Sequence, residues 1–293
     1  MRRPDFFILG APKCGTTSLA AWLAAHPRIF IPIKEPHYFN TDEARIFTTL
    51  AAYERLFRRA TPDHLAVGES SVWYLYSTAA VSNIEAYAPT ARYIVLLRNP
   101  LDMAPSLHEQ LVFAGVEPEK DFGAAWTLQR ERRLGRAVPR GMLQPRRLLY
   151  GDACKLGALM ARLYERVPRH RVLALLLDDL QADARGAYAR VLEFLGAPDD
   201  GRETFPVLNA SKVRTVPGIG QLTAAAYRLK HALGIERSFG MLDRLDTLTS
   251  ERNRRPPLPP RLRAELNDYF SDDVRHLASL LGRDLSHWLT VPA

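Results

Sequence analysis

Five short apolar runs punctuate this chain, at residues 6–9, 29–31, 66–68, 93–97 and 172–176. Such runs suit strands buried on both faces of a sheet. Between them lie stretches with helical patterning, at 16–25, 44–59, 77–87, 100–113, 122–134, 152–167 and 182–195, with Gly196 placed to cap the last. Strands that alternate with helices lead to an α/β fold around a mostly parallel sheet. Such sheets bind ligands at the carboxyl ends of their strands. The one proline-rich break, residues 254–260, leads into a final helix over about 260–282. With no internal repeat or low-complexity tail, residues 1–293 are expected to form a single domain with that helix docked on it.

Composition narrows the function. At 293 residues the chain can bury a sizeable core. Its 47% hydrophobic and 25% charged content excludes a disordered chain, a coiled coil and a collagen-like fibre. Lys and Arg number 40 against 32 acidic residues, and the resulting net charge of +8 favours anionic ligands. The basic residues are spread through the chain, with no zinc spacing, RNA-binding signature or Arg-rich tail, so nucleic acid is not expected as a partner. Cys14 and Cys154 form neither a disulfide framework nor a metal pair, which points to a reducing compartment. No apolar run approaches the ~18 residues of a membrane helix. The N-terminal apolar stretch breaks at Gly10-Ala11-Pro12-Lys13, too early for a signal peptide. A cytoplasmic location without membrane insertion is therefore expected. The Arg- and Ala-rich composition has a bacterial look; oligomeric state is not encoded legibly.

The chemistry concentrates in three places. The first is Gly10-Ala11-Pro12-Lys13-Cys14-Gly15-Thr16-Thr17-Ser18 behind the first strand. A strand running through a Gly/Lys/Thr turn into a helix forms an anion site, because free N–H groups and the helix dipole both favour negative charge. The order differs from G-x-x-x-x-G-K-[ST], since Thr16 stands where that motif has Lys. The second is Arg98-Asn99-Pro100 at the end of a central strand, where a guanidinium fork suits a phosphate. Ser106 follows about two turns on. The third is Lys34-Glu35-Pro36-His37, an irregular loop with three titratable side chains in four residues.

Together these resemble the sulfotransferase family that uses 3′-phosphoadenosine 5′-phosphosulfate (PAPS). Pro12-Lys13 through Leu19 is similar to that family's 5′-phosphosulfate loop. The strand–Arg98-Asn99-Pro100–helix–Ser106 element is similar to its 3′-phosphate site, with Met103 and Pro105 where many relatives carry Arg and an aromatic. Lys34 to Phe39 resembles the catalytic loop of the heparan-sulfate-type branch. The resemblance implies a P-loop-kinase-like sulfotransferase fold, PAPS as donor, 3′-phosphoadenosine 5′-phosphate (PAP) as product, and no metal. It implies donor contacts from Lys13, the Cys14–Gly15 turn, Thr16, Thr17 and Ser18, with Arg98 and Ser106 on the 3′-phosphate. Lys212 and Arg214 fall where relatives close a basic loop over the nucleotide.

Sulfuryl transfer needs the acceptor proton removed and the leaving phosphate stabilised. Glu35 is the expected general base, with His37 the competing one, and Lys13 neutralises the leaving group. Lys34 and Glu69, the latter in Gly68-Glu69-Ser70-Ser71-Val72-Trp73-Tyr74, are expected to face the acceptor. That acceptor is expected to be a hydroxyl or amine of a carbohydrate, a lipid-linked sugar or a secondary metabolite. The competing reading is a P-loop-like kinase or nucleotide hydrolase using ATP and Mg²⁺, with Asp178-Asp179 as the acidic pair.

Overall fold

The apolar runs become strands β1 (Phe6–Gly10), β2 (Ile29–Phe30), β3 (Ala66–Ser70), β4 (Arg92–Leu97) and β5 (Val172–Leu176). They pair in the order β2-β3-β1-β4-β5, and every pair is parallel. The computed structural model describes residues 2–32, 35–43, 45, 47–140, 142–208, 212–214, 250–252 and 256–290. β1 is central and fully buried, because Phe6, Phe7, Ile8 and Leu9 have helices to bury against on both faces of the sheet. From β1 the chain winds to β2 and β3 on one side, and β4 and β5 lie on the other. The winding therefore reverses at β1, which puts a ligand crevice at the carboxyl ends of the middle strands.

The helices are α1 (Thr16–Ala24), α2 (Leu50–Glu54), α3 (Ala80–Tyr87), α4 (Pro100–Phe113), α5 (Phe122–Thr127), α6 (Gln129–Arg133), α7 (Tyr150–Ala153), α8 (Leu156–Tyr164), α9 (Leu177–Ala182), α10 (Ala184–Leu195) and α11 (Pro260–Leu281). An antiparallel pair, β6 (Lys212–Arg214) with β7 (Ser250–Arg252), forms a second, two-stranded sheet. The chain divides into two compact units. One comprises residues 1–98, 156–208 and 276–283, and contains the sheet; the other comprises 99–155, 209–275 and 284–293. Among the described residues no helix is long and apolar enough to cross a membrane.

Several boundaries differ from the sequence expectation, and local hydrogen bonds explain them. The helix expected at 77–87 starts at Ala80, and ahead of it the Ser77 hydroxyl accepts from the N–H groups of Ala79 and Ala80 in a turn. The one expected at 44–59 shrinks to α2, whose start is fixed by Thr49 accepting from Ala52 N at 3.2 Å. The stretch expected at 182–195 is α10, which starts two residues late because Asp183 caps it through Gly186 N at 2.8 Å, and the unexpected α9 precedes it. Residues 122–134 break after Thr127, whose hydroxyl donates back to the Ala124 carbonyl at 2.7 Å. The helix expected at 152–167 is likewise divided between α7 and α8. β3 runs two residues beyond its expected end, carrying Glu69 and Ser70 into the buried sheet. Gly196 caps α10 in the left-handed conformation its position called for, at φ 69°.

The second unit is built around a buried charge pair. Arg132 donates two hydrogen bonds to Glu117, at 2.6 and 2.9 Å, and both side chains are essentially sealed from solvent. The Tyr150 hydroxyl and the Glu119 N–H donate to the same carboxylate at 2.7 and 3.0 Å. These donors hold Glu117 below the ordinary carboxyl range although its burial pushes the other way.

Candidate active site

Three adjacent strands, β3, β1 and β4, deliver the candidate groups to one end of the sheet. β1 ends at Gly10, whose missing side chain is required: a Cβ there would lie 2.3 Å from the Val72 carbonyl oxygen. The turn continues through Lys13 at φ 64° to Gly15 at φ 90°, which sits at the N-cap of α1 with no side-chain capping bond. A helix N-terminus capped by glycine leaves its first N–H groups directed outward. Thr16 is buried and Thr17 half-buried. Cys14 is fully buried and its thiol donates to the Pro12 carbonyl at 3.3 Å. Burial pushes that thiol up to about 12, and the charges of Arg98 and Lys13 pull it the other way. Ser18 is also buried; its hydroxyl accepts from Leu208 N at 2.9 Å and so ties down the segment after α10.

Arg98 follows β4, the strand beside β1. Its Nη1 donates to the carbonyl of Lys13 at 3.2 Å. The two motifs expected to bind anions, separated by 85 residues, are therefore joined. Lys13, Arg98, the threonine hydroxyls and the first N–H groups of α1 form a set of donors and cations, which fits a polyphosphorylated nucleotide.

The third motif hangs from β3. Glu35 N–H donates to the Ser70 carbonyl at 2.6 Å, His37 N–H to Ser71 Oγ at 3.1 Å, and Phe39 N–H to the Tyr74 hydroxyl at 3.2 Å. Glu35 and His37 both adopt left-handed backbone conformations, at φ 63° and 50°. For residues with a Cβ this costs roughly 1–2 kcal/mol each, which the three hydrogen bonds offset. The turn brings Glu35 Oε2 within 3.3 Å of His37 Nε2. The Glu35 side chain is 29% exposed, so the carboxylate reaches solvent.

Glu69, expected to face the acceptor, lies wholly inside, next to Ser71, Tyr53 and Tyr74. Burial pushes its carboxyl up to about 8, against the pull of those three hydroxyls. Ser71 and Tyr74 were not singled out from the sequence; their signal was the alternation of small and aromatic residues after β3, which reads equally as core. Lys34 lies outside the described residues. Ser106 sits in α4 of the second unit, 4% exposed. The backbone of β6, which carries Lys212 and Arg214, neighbours α4 in that unit; the two side chains lie outside the described part. Asp179, half of the acidic pair of the kinase reading, is taken up by Arg283 at 2.7 and 2.8 Å and by Leu176 N at 3.1 Å.

With this geometry in place, comparison with known proteins identifies the family. The sulfotransferase domain matches residues 3–210. Human heparan sulfate glucosamine 3-O-sulfotransferase 6 is 32% identical over 109 residues, 37% of this chain and 31% of that protein. Human carbohydrate sulfotransferase 15 is 28% identical over 162 residues, covering 40% of this chain and 28% of that protein. The matches thus span less than a third of either curated relative. A solved sulfotransferase from Alicyclobacillus acidocaldarius superposes over 99% of this chain and 100% of its own, with a TM-score of 0.71 and 26% identity. The chain belongs to the sulfotransferase domain family.

Proposed function

We propose that this chain transfers a sulfuryl group from PAPS to a hydroxyl or amine, without a metal ion and with Glu35 as general base. One observation carries the reading. The Arg98 guanidinium bonds to the backbone of Lys13, so two phosphate-binding elements share one rim of the sheet beside the loop of Glu35. A nucleotide phosphorylated at both its 5′ and 3′ positions needs two such elements; a simple triphosphate does not.

PAPS, when bound, supplies a sulfuryl group joined to a phosphate leaving group. Lys13 and the threonine hydroxyls hold the oxygens of that phosphate and offset the charge that builds there as the bond to sulfur breaks. Arg98 would hold the 3′-phosphate, which its guanidinium suits. The Glu35 carboxylate accepts the proton of the attacking hydroxyl or amine, and His37 Nε2 orients it from 3.3 Å. Ser106, Lys212 and Arg214 keep their proposed nucleotide-binding roles on the sequence resemblance alone. The acceptor is proposed to be a carbohydrate, following the names of the curated relatives and the partly open Glu35 carboxylate.

The experiment is transfer from sulfur-labelled PAPS in EDTA to a panel of unsulfated polysaccharides, amino sugars and glycolipids. The reading expects label in at least one acceptor and equimolar PAP. Consumption of ATP that requires Mg²⁺, with PAPS left intact, would contradict it.

A further inference from the structure

The loop that presents Glu35 and His37 contains no helix or strand of its own. It is held by alternate N–H groups, and two of their three acceptors, Ser71 Oγ and Tyr74 OH, are side-chain hydroxyls. A hydroxyl rotates freely until its own proton finds an acceptor, and only then do its lone pairs point in one direction. For Ser71 that acceptor is a buried carboxyl: Ser71 Oγ donates to Glu69 Oε2 at 3.5 Å. Glu69 is 0% exposed and sits at the end of β3, next to the strand residue that anchors Glu35 N–H. A wholly buried carboxyl cannot touch an acceptor. It can fix the Ser71 hydroxyl.

We propose that Glu69 is a positioning residue, which orients the Ser71 hydroxyl and through it locks the loop carrying Glu35 and His37. Two features support this. The loop's left-handed residues need an external constraint, and the hydroxyls are the only side-chain acceptors for its N–H groups among the described residues. Burial also costs a carboxyl enough that a purely packing role would be filled better by an apolar side chain. The inference deepens the sulfuryl-transfer reading and rests on it for what the loop does, though not for how the loop is held.

The test compares Glu69→Leu, Ser71→Ala and Glu69→Gln in the full chain. Amide exchange is followed by mass spectrometry, and PAP binding by calorimetry. Glu69→Leu and Ser71→Ala should speed exchange in residues 35–39 at least about tenfold, with exchange in β1 and β4 unchanged. Glu69→Gln, whose amide oxygen still accepts from the Ser71 hydroxyl, should hold the loop within about threefold of the parent chain. PAP affinity should stay within about twofold throughout, while PAPS turnover by Glu69→Leu should fall at least about tenfold with its KM unchanged. Loop exchange unchanged in Ser71→Ala, or loop exchange in Glu69→Gln as fast as in Glu69→Leu, would overturn the proposal. So would acceleration spread evenly over the sheet. Should Glu69→Leu not fold, Ser71→Ala and Glu69→Gln still decide it. If the unmodified chain fails to bind PAP, the donor reading falls, and the exchange results continue to decide the role of Glu69.

Discussion

Glu35 is an acid held in a strained backbone and left partly open to solvent. That combination makes sense for a group that must meet an acceptor proton at a fixed place. Glu35→Gln keeps the size and the loop bonds but cannot take a proton. Turnover should drop by ~10²–10⁴ while PAP binding is retained; turnover within about tenfold of the parent would move the base elsewhere, with His37 the first alternative. Arg98 gives a second single-residue test. Arg98→Ala should weaken binding of PAP far more than binding of adenosine 5′-phosphate, because only PAP carries the second phosphate. Glu69 gives a third, in stability rather than rate. Its folded carboxyl titrates at about 8 against an ordinary value of 4.5, so stability present below the ordinary value is lost as pH rises through about 8. The slope is at most about 1.4 kcal/mol per pH unit. Glu69→Gln removes that titration, so its melting temperature relative to the parent should rise between pH 5 and pH 8; a constant difference would refute the buried acid.

At the scale of elements, the strand–turn–helix from Phe6 to Ala24 was the most legible part of the chain. Its meaning lay in local order: an apolar strand, two glycines and a run of hydroxyls. Gly15 shows the dependence on backbone. At φ 90° any side chain is strained, and a Cβ would also meet Leu177 at 3.0 Å. Gly15→Ala should cost roughly 1–2 kcal/mol in urea unfolding and weaken PAP binding as the first amides of α1 turn away. The loop 35–39 was legible as chemistry but not as structure. Its residues announce themselves, whereas the bonds that hold it come from Ser70, Ser71 and Tyr74 on a distant segment. Glu69 was misplaced for the same reason: a charged residue near a strand end reads as a strand terminus, and here the strand continues through it into the core. Helix lengths were the weakest expectation, because side-chain caps at Thr49 and Asp183 and the Ser77 turn override apolar periodicity.

For the molecule as a whole, the parallel sheet followed from the alternation of strands and helices, since a buried run flanked by helical patterns has few other solutions. The order of the strands did not, because non-local pairing leaves no trace in local spacing. That order is what puts β1 between β3 and β4 and lets one rim collect residues from three motifs. The second unit depends on a different interaction. Removing one partner of the sealed Glu117–Arg132 pair strands a charge, so Glu117→Ala should destabilise by about 3–5 kcal/mol in chemical unfolding.

The central claim is that the rim formed by Lys13, Gly15, Thr16, Thr17 and Arg98 is built for a nucleotide phosphorylated at both ends of its ribose. Calorimetric titration in EDTA with PAP, ADP and ATP, repeated with Mg²⁺, tests it most directly. The account predicts tight, metal-independent binding of PAP and much weaker binding of ADP and ATP. Binding of ATP that requires Mg²⁺, with no preference for the 3′-phosphate, would contradict it.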